Sequence, residues 1–215
     1  MKLSDQFKKI ALNEDATERK ASAFLKKYPY VIIQLFNRSW NFYRIFPEFR
    51  MGSDFRADFV IISADSGAWH GQFVELEGPN DSPYTKSGAP STKLNLAIQQ
   101  TKDWQDFIYA QKANLMHEFA KLIKPLKSPA QNNLMGHGVL ADVELEHPNT
   151  LIDFDYYVII GNSQNFTDSD RKAHKHYSTG DGVVTYDRVY KTICELESRF
   201  DTFNLQCKFL SNKGH

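Results

Sequence analysis

Phe55-Arg56-Ala57-Asp58-Phe59-Val60-Ile61-Ile62 and, beyond a turn-prone break, Phe73-Val74-Glu75-Leu76-Glu77-Gly78-Pro79 are the stretches on which the fold of this chain turns. Asp58 to Ile62 and Trp69 to Glu77 are rich in Val, Ile, Phe and Trp, and Ala64-Asp65-Ser66-Gly67 between them favours a turn. The pattern predicts a β-hairpin. With Asp65 to Ala68 as its loop, Asp58 lies directly opposite Glu75. Residues two apart share a face of a strand, so Glu75 and Glu77 project together, and a direct cross-strand partner stands about 4.5 to 5.5 Å away. A loop one residue longer or shorter turns Asp58 to the other face, so the register decides whether three carboxylates converge.

Like charges at that separation repel and raise each other's pKa unless a hard cation neutralises them. Magnesium or manganese suits such a set, because it binds through one or two carboxylates plus substrate phosphate and keeps waters that can attack a phosphodiester. The competing reading is plain: three acids solvated on the outer face of an edge hairpin.

Around the hairpin, 215 residues with 41% hydrophobic content make one core, so residues 1–215 are expected to form a single domain with a helical N-terminal segment of about 1–50. There is no apolar run of membrane-spanning length and no charged-then-apolar leader, which points to a cytoplasmic protein with no membrane partner. Cys194 and Cys207 have no CxxC spacing and are expected to be reduced. With 26 basic and 26 acidic residues the net charge is zero, so any attraction to nucleic acid must be local. Arg171, Lys172 and Lys175, interleaved with His174, His176 and Tyr177, are the candidate phosphate contacts.

Asp15-Ala16-Thr17-Glu18 resembles a capping box, with Ala21, Phe24 and Leu25 at helical spacing until Tyr28-Pro29. Val31 to Phe36 is an apolar run, and Trp40 to Pro47 is ambiguous between helix and strand. A loop from Asn80 to Pro90 precedes a long helix from about Ser91, whose buried stripe is Leu94, Ala97, Ile98, Thr101, Trp104 and Ile108. A second helical segment, about Ala113 to Leu122, ends before Pro125, and Pro129 to Gly138 is loop. Strands are expected at Phe154 to Ile160 and Val183 to Tyr186, followed by helices at Asp168 to His176 and Asp187 to Phe200. That order predicts an α/β (α+β) fold with a central mixed sheet flanked by helices.

A helix, an antiparallel pair bearing Asp and then Glu-x-Lys, a helix and a further strand resemble the PD-(D/E)XK nuclease superfamily, a restriction-endonuclease-like fold. Ala57-Asp58-Phe59-Val60-Ile61, Val74-Glu75-Leu76-Glu77-Gly78-Pro79, Lys86-Ser87-Gly88, Gln100, Asp103-Trp104 and Thr185-Tyr186-Asp187 are similar to the Shedu family of antiphage nucleases, over a stretch from Glu18 to about Leu196. The resemblance implies a Mg²⁺- or Mn²⁺-dependent DNA endonuclease in prokaryotic antiphage defence, working as a homo-oligomer. It implies Asp58 and Glu75 as metal ligands. Glu18 is either an upstream acid of the same site or a helix cap. Gln100 either positions substrate or water, or is an ordinary amide at a helix–sheet contact.

Glu77 stands where the superfamily has lysine. A carboxylate cannot donate to charge developing on phosphate, so Glu77 is expected to act as general base or further metal ligand, with the positive charge brought from elsewhere. Lys86, in Tyr84-Thr85-Lys86-Ser87-Gly88, is the favoured source; Lys93, which shares a helix face with Gln100, is the other and a candidate DNA contact. The alternative is a degenerate nuclease-fold module that binds DNA or a partner without cutting. Other chemistries lack motifs. His174 and His176 are two apart in a helical region, and His70, His117, His137 and His147 are scattered, which disfavours zinc. Neither a Walker loop nor GxGxxG follows a strand, so no nucleotide cofactor is expected, and no Gly-x-Ser-x-Gly elbow occurs.

Overall fold

A computed structural model describes residues 1–37, 42–64, 68–123, 145, 150–180 and 182–199. The hairpin turn at 65–67, Trp40, Pro125, the predicted loop Pro129 to Gly138, His137, His147, Phe200 and Cys207 lie outside these residues.

The central sheet has five strands in the order β1 (Phe42–Met51), β2 (Phe55–Ala64), β3 (Ala68–Leu76), β4 (Leu151–Ile159), β5 (Val183–Val184). The first three run antiparallel, and β4 and β5 pair parallel. The sheet is therefore mixed, with helices on both sides. Strand β1 resolves the ambiguous aromatic segment. Pro47 interrupts its donor row and helps to hide its strand character, yet an edge strand tolerates a residue without an N–H.

Even and odd positions of β2 separate two layers. Phe59, Ile61 and Val74 pack with α1 (Leu3–Ala11), α2 (Glu18–Lys27), α3 (Tyr30–Phe36) and α6 (Tyr186–Arg199) through Phe7, Leu25, Ile32 and Ile193. Val60, Ile62 and Phe73 pack instead against α4 (Thr92–Ile123), whose Trp104, Ile108 and Phe119 are almost wholly buried. Leu94, Ala97 and Ile98 of α4 close a third cluster with Val158 and Ile160, edged by Ala173 and Tyr177 of α5 (Asp168–Gly180). Near Asp58 the pleat changes phase: Ala57, Phe49 and Met51 belong to the α4 layer, although Phe59, two residues on, belongs to the other.

Several local expectations need correction. Helical structure in the N-terminal segment ends at Phe36, and Phe42–Met51 is strand. Helix α1 is an unanticipated element, although Leu3, Phe7 and Ala11 bury one helical stripe. The cap of α2 is Thr17 rather than Asp15, its hydroxyl accepting from the Lys20 N–H at 3.4 Å. Tyr186 opens α6 instead of closing β5. The two helical segments after Ser91 are joined through a kink at Gln111 (φ −117°, ψ 20°), and the Ser91 hydroxyl caps the first by accepting from the Leu94 N–H at 3.3 Å. Among the described residues no helix is long and apolar enough to cross a membrane.

Candidate active site

The hairpin register is the one predicted. Ala64 pairs with Trp69 and Phe59 with Val74, so the next rung sets Asp58 across from Glu75. On the other side, Pro47–Phe59 and Phe49–Ala57 bracket Glu48 and Asp58, which also face each other. Three carboxylates, Glu48, Asp58 and Glu75, thus form a row across three strands. Glu48 sits at φ 54°, the one positive φ outside glycine among the described residues. A left-handed backbone costs an ordinary residue about 1 to 2 kcal/mol, and such strain collects where a side chain has to be aimed away from the regular pleat.

Burial and mutual repulsion set the electrostatics. Glu75 is pushed up to about 8, first by burial, then by Asp58, against the lowering effect of a Gln100 side-chain hydrogen bond, with Glu77 and Glu18 raising it further. Burial also raises Asp58, partly offset by the Leu76 N–H, which donates to its Oδ2 at 2.9 Å, and by the charge of Lys26. Glu77 is raised by burial and held down by Lys93, whose Nζ is 3.7 Å from Oε2. Glu18, exposed in the first turn of α2, acts on Asp58, Glu75 and Glu77 alike. The four acids singled out in the sequence therefore share one electrostatic field.

Helix α4 lies beside β3 so that Lys93 meets Glu77 and Gln100, two turns later, meets Glu75. Gln100 is thus a partner of a site acid. Lys93, rather than Lys86, is the cation at Glu77. Lys86 occupies an exposed turn in which Gly88 N–H donates to Thr85 O at 2.8 Å. A Cβ on Gly88 would approach Ser169 Oγ to 2.8 Å, so this turn lies against the start of α5. Arg171, Lys172 and Lys175 are exposed on α5. His174 turns inward instead, with Nδ1 3.0 Å from Tyr84 Oη and its ring against Phe166. Trp104 is core.

Two backbone anchors fix the acids. Tyr186, fully buried, donates its hydroxyl proton to the Glu77 carbonyl at 2.8 Å. Asn80 donates through Nδ2 to the carbonyls of Asn13, Glu14 and Ala16 at 3.1, 2.8 and 3.1 Å, tying the turn before Glu18 to the segment after Glu77. Sequence reasoning missed Glu48 and its partners Lys26 and Arg56. Lys26 ion-pairs with Glu48, and Arg56 Nη1 is 2.8 Å from the other carboxylate oxygen. Nothing in the sequence singles them out: Lys26 looks like any basic residue ending a helix.

All the site acids offer hard oxygen donors, and burial of repelling carboxylates is the condition a divalent cation relieves. Among the described residues no three acids, histidines or cysteines gather closely enough to hold an ion unaided. The donor set fits magnesium in its usual mode, in which one or two carboxylates, here Asp58 and Glu75, share the ion with water and substrate phosphate.

The family model for the Shedu protein SduA, C-terminal, matches residues 15–190, and the chain belongs to that family. Among curated proteins no sequence matches it.

Proposed function

From that membership and the row of acids we propose that this chain is a Mg²⁺-dependent DNA endonuclease of the PD-(D/E)XK type that serves in antiphage defence. The observation that carries the reading is the buried Asp58–Glu75 pair, with Glu75 pushed up to about 8 chiefly by burial and by its neighbour. Repulsion of that kind is retained where a cation is to be bound. Asp58 and Glu75 would hold the ion, within the electrostatic field of Glu77 and Glu18. When bound, magnesium supplies a water of lowered pKa and neutralises charge on the phosphate.

The protein's own groups do the rest. Gln100 orients Glu75 through its amide, and the Leu76 N–H orients Asp58. Glu77, with its pKa raised and Lys93 beside it, is suited to take the proton of an attacking water. Lys86, Arg171, Lys172 and Lys175 are exposed basic groups, on the Gly88 turn and on α5 beside it, and are assigned as contacts to the DNA backbone. The deciding experiment is cleavage of plasmid DNA with Mg²⁺ or Mn²⁺: the wild type cuts, and Glu75→Ala, which relieves repulsion and so stays folded, does not. Full activity in Glu75→Ala would sink the assignment.

A second reading, a nuclease-fold module that binds without cutting, is favoured by one observation: Glu77 stands at the lysine position and is engaged by Lys93. Cation dependence separates the two. A working site binds Mn²⁺ and loses it in Asp58→Asn, whereas a binding module shows no such response.

A further inference from the structure

Glu77 leaves the site without the positive group usual at that position, and the fold offers a cation from an unexpected direction. Lys26 lies in the last turn of α2, about two turns beyond Glu18, and pairs with Glu48. Glu48 and Asp58 are bracketed by the Pro47–Phe59 and Phe49–Ala57 pairs of the β1–β2 ladder, and Glu48 occupies a left-handed backbone that breaks the regular pleat there. Arg56 grips the other carboxylate oxygen at 2.8 Å, so Glu48 is held from two sides and Lys26 is led to the Asp58 end of the acid row. The lysine side chain is about one-third exposed, at 32%, enough to exchange a carboxylate for an arriving phosphate. Lys93 is the rival, but at 57% exposure and on the Glu77 flank it neutralises the acid that took the lysine's place.

We propose that Lys26 is the catalytic cation of this site, that it parts from Glu48 to contact the scissile phosphate, and that Glu48 is its positioning residue. This rests on the nuclease reading above. A compact ammonium is a suitable donor to oxygens that gain charge during phosphoryl transfer, and its Glu48 tether keeps it near the acids before substrate arrives.

The test is single-turnover cleavage of duplex DNA with Mn²⁺, alongside DNA affinity and thermal melting, for wild type, Lys26→Met, Glu48→Gln, the double variant and Lys93→Met. Lys26→Met should lose about 100-fold in rate, the scale on which a lost charge-stabilising donor acts, with DNA affinity within threefold and the melt intact. Glu48→Gln keeps the lysine and should lose less than tenfold. The double variant should be as slow as Lys26→Met, since the cation itself is needed. Recovery to the wild-type rate in the double variant would show Lys26 to be only a counter-ion for Glu48 and overturn the proposal. So would wild-type cleavage by Lys26→Met, or a 100-fold loss in Lys93→Met with none in Lys26→Met. A wild-type protein that cuts no DNA overturns the nuclease reading and this proposal together.

Discussion

Asp58 faces Glu75 one rung beyond the Phe59–Val74 pair, and there its carboxylate accepts the Leu76 N–H at 2.9 Å instead of leaving that amide to the ladder. One side chain thus has a structural bond beside the charge proposed to hold the ion, and substitution can separate them. Asn retains an acceptor oxygen, whereas Ala leaves a part-buried N–H without a partner. Asp58→Ala should be less stable than Asp58→Asn by about 1 to 3 kcal/mol in urea melts. Both should lose Mn²⁺ binding, measured calorimetrically. Equal stabilities would mean that the Leu76 bond contributes nothing.

Glu75 gives the protein a pH dependence with a definite sign. Its folded pKa is about 8 against an ordinary 4.5, so between those values the folded form holds a proton that the unfolded form has released. Its contribution is fully present below pH 4.5, declines as pH rises through the window and is lost above 8, with a slope of at most about 1.4 kcal/mol per pH unit. Asp58 and Glu77, also raised, act in the same direction. Glu75→Gln, whose amide can still bond Gln100, should therefore gain stability over wild type at pH 8.5 and little at pH 5 in metal-free buffer. An unchanged difference across that range would rule out the raised pKa.

The same proton links pH to the cation. Metal-free Glu75 is mostly protonated at pH 7, so binding a divalent ion there has to displace that proton. Apparent Mn²⁺ affinity should climb up to tenfold per pH unit from pH 6 to 8 and level off above. Calorimetry in buffers of different ionisation heat should record up to one proton released at pH 7. A flat affinity profile would place the ion elsewhere.

How much of this was legible in the sequence differs from element to element. The strands on each side of the break at Ala64 to Gly67 were legible, but their register hung on a four-residue loop at Asp65 to Ala68, since a one-residue slip turns Asp58 to the other face. Gln100 and Lys93 were placed by helical period, seven residues being two turns. By contrast, β1 was hidden by Pro47, which argues against a central strand but says nothing against an edge. Tyr30–Phe36 is a short run, apolar except for Gln34, so period could not distinguish helix from strand. Glu48 and Lys26 were invisible because their meaning comes from tertiary pairing between residues 22 positions apart.

Asn80 makes the α1–α2 turn part of the site's scaffold. Its amide serves three carbonyls just before Glu18, two of them on exposed residues. Water can replace part of what is lost, so Asn80→Ala should destabilise by about 1 to 2 kcal/mol. Because the segment leading into Glu18 is then no longer tied to the one after Glu77, the variant should also weaken Mn²⁺ binding more than Glu14→Ala does. If melts and affinity both match the wild type, the turn is held by other contacts.

Tyr186 tests the anchor beneath Glu77 itself. Its hydroxyl reaches from the start of α6 to the Glu77 carbonyl at 2.8 Å, and burial among Asp58, Glu18, Glu77 and Asp81 holds the phenol well above the usual tyrosine range, so it is a donor at every working pH. Tyr186→Phe keeps the ring against Phe7, 6.4 Å between centroids, and removes only the donor. Stability should fall by about 1 to 2 kcal/mol, the cost of leaving a part-buried carbonyl short of a partner. The Glu77 N–H still donates to Ile159 O at 2.8 Å, so β3 keeps its place beside β4 and the fold survives. The loss should be the same at pH 6 and pH 9, because the donor never titrates in that range; a loss confined to the lower pH would mean that the phenol ionises.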